Sequence, residues 1–191
     1  FVQDPAAALV VSHAAIPEGA RVADLCAAPG GKGLSASRRA GYVLAADPSA
    51  PRLDLVRENA RRLGARIGIV RAVAEAPPVR DADVVLVDAP CTGTGTLRRH
   101  PDARWRLTPD APAAMAEVQA RILRGAATAV RRGGVLVYST CTLEPEENAE
   151  VVRGFLAGTP GFVPAPPGEP LEVLPQDSGW DGAWAMRMRK E

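Results

Sequence analysis

Short apolar runs alternate along the chain with longer segments in which apolar residues recur every three or four positions. The short runs predict strands over residues 21–26, 42–46, 66–71, 83–87 and 135–139. A tail from Phe162 ends in the alternating residues 184–188, which suit an antiparallel pair at the edge of a sheet. This order is typical of a mostly parallel sheet with helices on both faces.

The predicted helices lie between these strands. Ser49 is a suitable N-cap and Gly64 a suitable end for one amphipathic helix. Its apolar stripe consists of Leu53, Val56, Ala60 and Leu63. A longer helix after Pro109 has its stripe at Met115, Val118, Ile122, Ala126 and Ala129. Shorter helices are expected over residues 34–40 and 146–157.

Composition limits the class of protein. The chain has 191 residues, 47% of them hydrophobic, which is enough for one globular domain. Lys plus Arg number 23 and Asp plus Glu 22, so there is no overall positive field and any nucleic-acid site must be local. The longest apolar runs are far shorter than the roughly 20 residues of a membrane span, which excludes a transmembrane protein.

Three cysteines, Cys26, Cys91 and Cys141, cannot all pair with one another and are too few for a disulfide scaffold. We therefore expect a reducing compartment, the cytoplasm. The chain opens on Phe1 without an initiator methionine, so we also expect a fragment that lacks an N-terminal part.

Chemically capable residues stand where the predicted strands end. Cys26 ends the first strand, Asp47 follows the second, and the sequences DAPC at 88–91 and STC at 139–141 follow the fourth and fifth. Ligands of open α/β sheets bind beyond the carboxyl ends of the strands. We therefore expect these residues to converge on one site.

The first motif is DLCAAPGGKG at residues 24–33. A phosphate-binding P-loop would need Gly in place of Cys26 and Ser or Thr in place of Gly33, and the dinucleotide pattern G-x-G-x-x-G is also missing. The glycines allow a ligand close to the backbone, and Asp47 is placed to accept hydrogen bonds from a ribose diol. The alternative is a plain tight turn with a helix-capping aspartate.

Two further motifs place thiols at strand ends: DAPCTGTG at 88–95 and YSTCTLEPEEN at 138–148. A lone buried cysteine is usually an inert small apolar residue, but two at adjacent strand ends are harder to explain in that way. A metal site with Cys26 and a histidine is disfavoured because no C-x-x-C spacing occurs, and we expect no metal. Glu146 and Glu147 are interpreted as carboxylates that complement a helix dipole.

A basic segment lies between these two motifs. It contains one aromatic residue, Trp105, and a group of basic residues: Arg98, Arg99, His100, Arg104 and Arg106. Arginines next to an aromatic ring can hold phosphates and stack a base. The alternative is a solvated charged loop.

Together the motifs resemble the RNA 5-cytosine methyltransferases of the RsmB, Nop2 and Sun family. The resemblance rests on VQD at 2–4, DLCAAPGGK at 24–32, DAPC at 88–91, STCTL at 139–143 and PEEN at 145–148. The segment LRRHP at 97–101 is similar to the bacterial RsmB branch, which acts on small-subunit ribosomal RNA. The resemblance implies a class I methyltransferase (Rossmann-like) α/β fold with a seven-stranded, mostly parallel sheet and an antiparallel C-terminal edge. Residues 1–191 would then be the catalytic domain alone, expected to be monomeric, without the RNA-binding domain that normally precedes it.

The resemblance also implies the roles of individual residues. Cys141 would attack C6 of a flipped-out cytosine, Asp88 would hydrogen-bond the pyrimidine edge, and Cys91 would assist loss of the C5 proton and release of the enzyme. Lys32 is our candidate for the cation that activates Cys141. The residues implied to bind S-adenosylmethionine are Cys26, Ala27, Ala28, Pro29, Gly30, Gly31, Lys32, Asp47, Val73 and Asp88. The RNA is expected to meet Arg98, Arg99, Arg104 and Arg106.

Two positions depart from the family pattern. Val73 stands where family members carry an aspartate for the adenine, and DGAW at 181–184 replaces a final Asp-Gly-Phe-Phe-like signature. Two other functions stay open. DNA cytosine C5 methylation would use the Pro-Cys thiol, Cys91, as nucleophile and is opposed by the presence of Cys141. A catalytically weak RNA-binding scaffold is favoured only by Val73.

Overall fold

The computed structural model describes residues 3–191, so Val2 of the VQD motif lies outside the described residues. The helices are α1 (Pro5–His13), α2 (Gly31–Ala36), α3 (Ala50–Leu63), α4 (Ala111–Ala127), α5 (Ala149–Gly158) and α6 (Pro175–Ser178). The strands are β1 (Arg21–Asp24), β2 (Tyr42–Asp47), β3 (Gly68–Arg71), β4 (Ala82–Asp88), β5 (Val130–Thr140), β6 (Phe162–Pro164), β7 (Leu171–Val173) and β8 (Ala183–Lys190).

The strands form one mixed sheet in the order β3-β2-β1-β4-β5-β8-β6, and the short β7 also pairs with β8. Strands β1 to β5 are parallel, whereas β6, β7 and β8 run antiparallel to their neighbours. The predicted α/β fold with an antiparallel C-terminal edge is therefore confirmed. The sheet has eight strands rather than seven, because the segment before α6 adds β7, and β8 lies inside this edge with partners on both sides.

Alternate residues of the central strands enter two cores on opposite faces of the sheet. Val85 and Val87 pack in the core that contains Leu123 of α4, whereas Val84 and Leu86 face the other side. Both faces of a parallel sheet are normally covered in this way. The strand order reverses at β1, because β2 and β3 are added on one side of it and β4 and β5 on the other, so a crevice opens at the carboxyl ends of β1 and β4.

Local signals placed several elements correctly. The Ser49 hydroxyl accepts a hydrogen bond from the N–H of Arg52, and Gly64 ends α3 in the left-handed conformation, as predicted. The predicted helix over 34–40 instead begins at Gly31, inside the glycine turn. The helix predicted from residue 146 begins at Ala149, because residues 145–147 form a separate 3-10 turn.

Candidate active site

The carboxyl ends of β1, β2, β4 and β5 meet at two neighbouring cavities. The Lys32 cavity, of about 340 Å³, is lined by Lys32 with Asp24, Arg99 and Asp181. The Asp47 cavity, of about 430 Å³, is lined by Asp47 with Val73, Glu75 and Cys91. Four residues line both cavities: Cys26, Ala28, Asp88 and Cys141. The sequence motifs thus converge on one continuous site.

The glycine turn forms the wall that the two cavities share. Gly30 adopts a φ of 108°, which a side chain would strongly disfavour, and the chain then enters α2 at Gly31. Ala27, Ala28, Pro29 and Gly31 line the Lys32 cavity, so every predicted turn residue except Gly30 borders it directly. The role of Gly30 is to turn the backbone.

Asp47 is buried and supports this turn. Its carboxylate accepts hydrogen bonds from the N–H of Ala28 at 3.3 Å and of Ser49 at 2.9 Å. Arg52 lies 3.6 Å from it and also donates to the carbonyl of Ala28 at 2.7 Å. A carboxylate has about four lone-pair sites, so Asp47 keeps acceptor capacity towards a ligand while it fixes the turn.

Asp24, to which the sequence assigned no role, is a buried carboxyl group beside the Lys32 cavity. Burial, and after it the charge of Asp88, raise the pKa of Asp24 to about 7. Within the described residues neither carboxylate oxygen has a hydrogen-bond partner of good geometry. A buried polar group without a partner is costly, so this side chain fits a ligand that supplies a donor.

Lys32 and Asp88 form a close ion pair at the centre of the site. The Lys32 Nζ lies 2.7 Å from Asp88 Oδ2, and Ser139 Oγ donates to Asp88 Oδ1 at 3.1 Å. Burial opposes the charge of Lys32, but the attraction of Asp88 outweighs it and raises the pKa of the ammonium. Lys32 therefore stays cationic next to Cys141.

The two thiols are in contact. Cys91 Sγ lies 3.4 Å from Cys141 Sγ. The hydrogen bond from Cys91 lowers the pKa of Cys141, and the Lys32 charge acts in the same direction. The same hydrogen bond, together with burial and the charge of Glu147, raises the pKa of Cys91. The pair is thus polarised: these effects make Cys141 the more acidic of the two thiols. Burial raises the pKa of Cys26, which remains a neutral thiol.

Glu147 corrects one interpretation. It directly precedes the N-cap of α5, but its side chain is fully buried and its carboxylate accepts hydrogen bonds from Thr92, Thr142 and Gln119 instead of facing the helix dipole from solvent. Burial of a polar side chain depends on partners far apart in the sequence, here 28 and 55 residues away for Gln119 and Thr92. Only exposed Glu146 is compatible with the dipole interpretation.

The loop after Cys91 is locked to the C-terminal DGAW segment. The Gly182 N–H donates to the Gly95 carbonyl at 2.8 Å, and the Gly95 N–H donates to the Cys141 carbonyl at 3.0 Å. A Cβ at Gly95 would lie 2.6 Å from the Cys141 carbonyl oxygen, so the close approach requires glycine. The altered signature therefore still supports the backbone of Cys141.

The basic segment divides into two parts. Arg99 borders the Lys32 cavity and forms a bidentate ion pair with buried Asp181. Arg98, Arg104 and Arg106 are exposed, and Arg106 pairs with Asp102 at 2.9 Å. Trp105 beside them is 84% exposed. Arg99 is thus part of the site wall, whereas the other three arginines and Trp105 form a separate surface.

Among residues 3–191 no group of three or more histidine, cysteine, aspartate or glutamate side chains has a metal-binding arrangement. None of the helices in that range has the length and apolar character needed to cross a membrane.

Comparison with known proteins identifies the family. The model of the 16S rRNA methyltransferase RsmB/F family matches residues 13–163. The chain is 39% identical to ribosomal RNA small subunit methyltransferase B of Thermus thermophilus, covering 98% of the chain and 49% of that protein. It is 38% identical to the same enzyme of Vibrio cholerae, covering 100% of the chain and 46% of that protein. It thus spans about half the length of these relatives.

A solved structure extends the comparison to the fold. NSun6 from Pyrococcus horikoshii, solved with an S-adenosylmethionine analogue, superposes with a TM-score of 0.88 at 29% identity, covering all of the chain and 53% of the archaeal protein. The predicted methyltransferase fold and cofactor class, S-adenosylmethionine, are confirmed at the level of the family. The chain belongs to the RsmB/F family of 16S rRNA methyltransferases.

Proposed function

We propose that this chain is the catalytic domain of an enzyme that transfers a methyl group from S-adenosylmethionine to C5 of a cytosine in RNA. Small-subunit ribosomal RNA is the proposed substrate, because both relatives are named ribosomal RNA small subunit methyltransferase B. An RNA-binding domain is proposed to precede Phe1. The observation that carries the proposal is the polarised thiol pair, 3.4 Å apart, beside the Lys32–Asp88 ion pair.

The residues present fit the cofactor. Asp47 offers acceptors to a ribose, and the unpartnered carboxyl group of Asp24 is available to a donor such as the cofactor's amino group. Val73, 45% exposed, and Glu75 line the side of the Asp47 cavity that would receive the adenine. When bound, S-adenosylmethionine supplies an electrophilic methyl group at the carboxyl ends of β1 and β4.

The thiol pair supplies what cytosine chemistry needs. C5 of cytosine is a poor nucleophile until a thiolate adds to C6 and turns the ring into an enamine. The Cys141 thiolate forms the S–C6 bond, and the displaced electron pair makes C5 nucleophilic. C5 would take the methyl group as the sulfonium S–CH3 bond breaks, leaving the neutral thioether S-adenosylhomocysteine; loss of the C5 proton then breaks the S–C6 bond and returns the thiolate to Cys141. The thiol of Cys91, next to Cys141, assists loss of the C5 proton and release of the enzyme from the product.

Asp88 is proposed to bind the pyrimidine edge. It stands between the two cavities, with Lys32 on one carboxylate oxygen and Ser139 on the other. Because the target base must leave its stack to reach this depth, we propose that RNA binds with the cytosine flipped out. The Lys32 cavity, next to Cys141, is the space available for that base.

The proposal is tested by methyl transfer. Full-length protein, undermethylated small-subunit ribosomal RNA and labelled S-adenosylmethionine should give one 5-methylcytosine, located by mass spectrometry of nuclease fragments. Label on DNA but not RNA would favour the DNA methyltransferase alternative. Binding of RNA without any methyl transfer would favour a scaffold.

Val73→Asp is expected to tighten S-adenosylmethionine binding. A hydrogen bond to a charged acceptor contributes about 1.5 to 3 kcal/mol, which corresponds to roughly 10-fold or more in affinity. Calorimetry measures the change, and Glu75→Gln is the companion variant in the same cavity. An unchanged affinity in Val73→Asp, together with weaker binding in Glu75→Gln, would show that Glu75 already serves the adenine.

The isolated chain is expected to bind RNA weakly and with strong salt dependence. With a net charge of +1, it relies on few phosphate contacts, centred on Arg98 and Arg104. Replacing both with alanine should weaken RNA binding further in titrations and leave cofactor binding intact. Arg61→Ala with Arg62→Ala removes the same charge from α3 and should have little effect. Tight, selective binding of a ribosomal hairpin by the isolated chain at physiological salt would contradict this expectation.

A further inference from the structure

The carboxylate of Glu147 bridges the residues that directly follow the two thiols. Its Oε2 accepts from the Thr92 N–H at 2.9 Å, and its Oε1 accepts from the Thr142 hydroxyl at 3.1 Å and from the Thr92 hydroxyl. Thr92 follows Cys91 and Thr142 follows Cys141. One buried side chain therefore sets the separation of two chain segments whose thiols touch.

Further hydrogen bonds hold Glu147 and the next residue, Asn148, in place. Gln119 of α4 donates to Oε2 at 2.8 Å, and the Tyr138 hydroxyl donates to the Glu147 carbonyl at 2.6 Å. The next residue, Asn148, accepts from the Thr140 hydroxyl at 2.5 Å and donates to the Thr142 carbonyl at 3.1 Å. The segments on both sides of Cys141 are thus attached to the same short turn.

Anchoring a loop through a buried carboxylate carries a large desolvation free energy. A buried carboxylate loses its hydration, and apolar residues of similar volume often stabilise a protein equally well or better. Oε2 faces two N–H groups, which can only donate, so an amide nitrogen at that position would meet a donor. A glutamine could still accept there through its amide oxygen and donate to the Thr92 and Thr142 hydroxyls, which can accept, so Glu147→Gln removes mainly the negative charge.

The charge of Glu147 also distinguishes the thiols. It raises the pKa of Cys91, whereas the Lys32 charge lowers that of Cys141. Other charged or titratable groups act on the pair as well: Asp88 and Arg99 on Cys141, and Tyr138 on Cys91. The charges of Glu147 and Lys32 therefore both widen the pKa difference between the two thiols.

We infer that Glu147 is a positioning residue that, through Thr92 and Thr142, holds Cys91 and Cys141 in contact and so sets the relative reactivity of the two thiols. The inference rests on the proposed function for its role in catalysis, but the charge distribution is a property of the chain without RNA. A purely structural anchor would affect folding stability and leave the relative reactivity of the thiols unchanged.

The test compares Glu147→Gln with Glu146→Gln, which makes the same change at the neighbouring exposed glutamate. Each 191-residue chain is treated briefly with iodoacetamide between pH 6 and 9, and mass spectrometry quantifies alkylation of Cys91 and Cys141. In the unchanged chain and in Glu146→Gln, Cys141 should react faster. In Glu147→Gln the ratio of Cys141 to Cys91 alkylation should fall several-fold, because the substitution removes a charge that raises the pKa of Cys91.

A second variant tests the inference even if Glu147→Gln fails to fold. Thr142→Val keeps the side-chain shape and removes the direct link from Glu147 to the Cys141 segment, so the ratio should also fall, by several-fold. Melting temperature and cofactor binding establish that each variant is folded. An unchanged alkylation ratio in the folded variants would overturn the inference and leave the proposed function intact. Absence of methyl transfer by the unchanged full-length protein would instead defeat the proposed function and would not affect the alkylation result.

Discussion

Cys141→Ala is expected to abolish both the covalent complex with RNA and the methylated product, whereas Cys91→Ala is expected to accumulate the complex. The two thiols differ in acidity, because their mutual hydrogen bond and the Lys32 charge lower the pKa of Cys141, whereas that hydrogen bond, burial and the Glu147 charge raise the pKa of Cys91. Without Cys141 no S–C6 bond forms. Without Cys91 the bond forms, but loss of the C5 proton and release are slow.

Denaturing electrophoresis measures this difference, since the complex migrates as protein bound to labelled RNA. Cys26→Ala tests the third cysteine, which lines both cavities and whose thiol stays neutral: it should still form the covalent complex, and its product yield reports on the contact of Cys26 with the cofactor. The proposed roles would be reversed if the complex persisted in Cys141→Ala and vanished in Cys91→Ala.

Lys32→Met is expected to move the pH dependence of complex formation to higher pH and to slow complex formation several-fold at pH 7. An ordinary thiol with a pKa of about 8.5 is only about 3% thiolate at pH 7. The Lys32 charge lowers the pKa of Cys141, so its removal reduces the thiolate fraction over the window below the ordinary thiol pKa and leaves it unchanged well above. Loss of the cation also leaves Asp88 uncompensated, which acts in the same direction.

The matched control for Lys32→Met is Lys190→Met, which removes the only other lysine of the chain. Lys190 lies at the end of β8 and donates to the Val130 carbonyl, away from the site. The pH profile of complex formation in Lys190→Met should match that of the unchanged chain. A Lys32→Met profile that does not move while cofactor binding is retained would remove Lys32 from this role.

Strand ends and caps could be predicted because their signals are local. The turn after β1, the Ser49 cap and the thiols at the ends of β4 and β5 each depend on a few neighbouring residues, and topology then brings them to one edge. By contrast α1, with Ala and Val on most of its sides, carries a weak amphipathic pattern and was not predicted. The three-residue strands β6 and β7 are defined by pairing with β8.

The polar interior of the site could not be predicted from the sequence. Gln119 lies on the apolar face of α4 because it donates to the Pro90 carbonyl and to Glu147, which the helical pattern does not indicate. Asp181 is buried because Arg99 pairs with it across 82 residues of sequence. Such partners are set by tertiary structure, so an isolated Glu, Gln or Asp gives no sequence signal of burial. The close contact of Gly95 with Gly182 is likewise set by tertiary structure between residues far apart in the sequence.

The most direct test of the central claim, attack by Cys141 on C6 of cytosine in RNA, is to identify the cysteine that carries the nucleotide. RNA containing 5-fluorocytidine cannot lose a proton from C5, so it should trap the complex in the unchanged chain with both thiols present, at low salt and with cofactor added. Trypsin separates the thiols into peptides 81–98 and 133–153, which mass spectrometry distinguishes after nuclease digestion. We predict the methylated nucleotide on peptide 133–153, at Cys141. A nucleotide on peptide 81–98, at Cys91, would contradict the account.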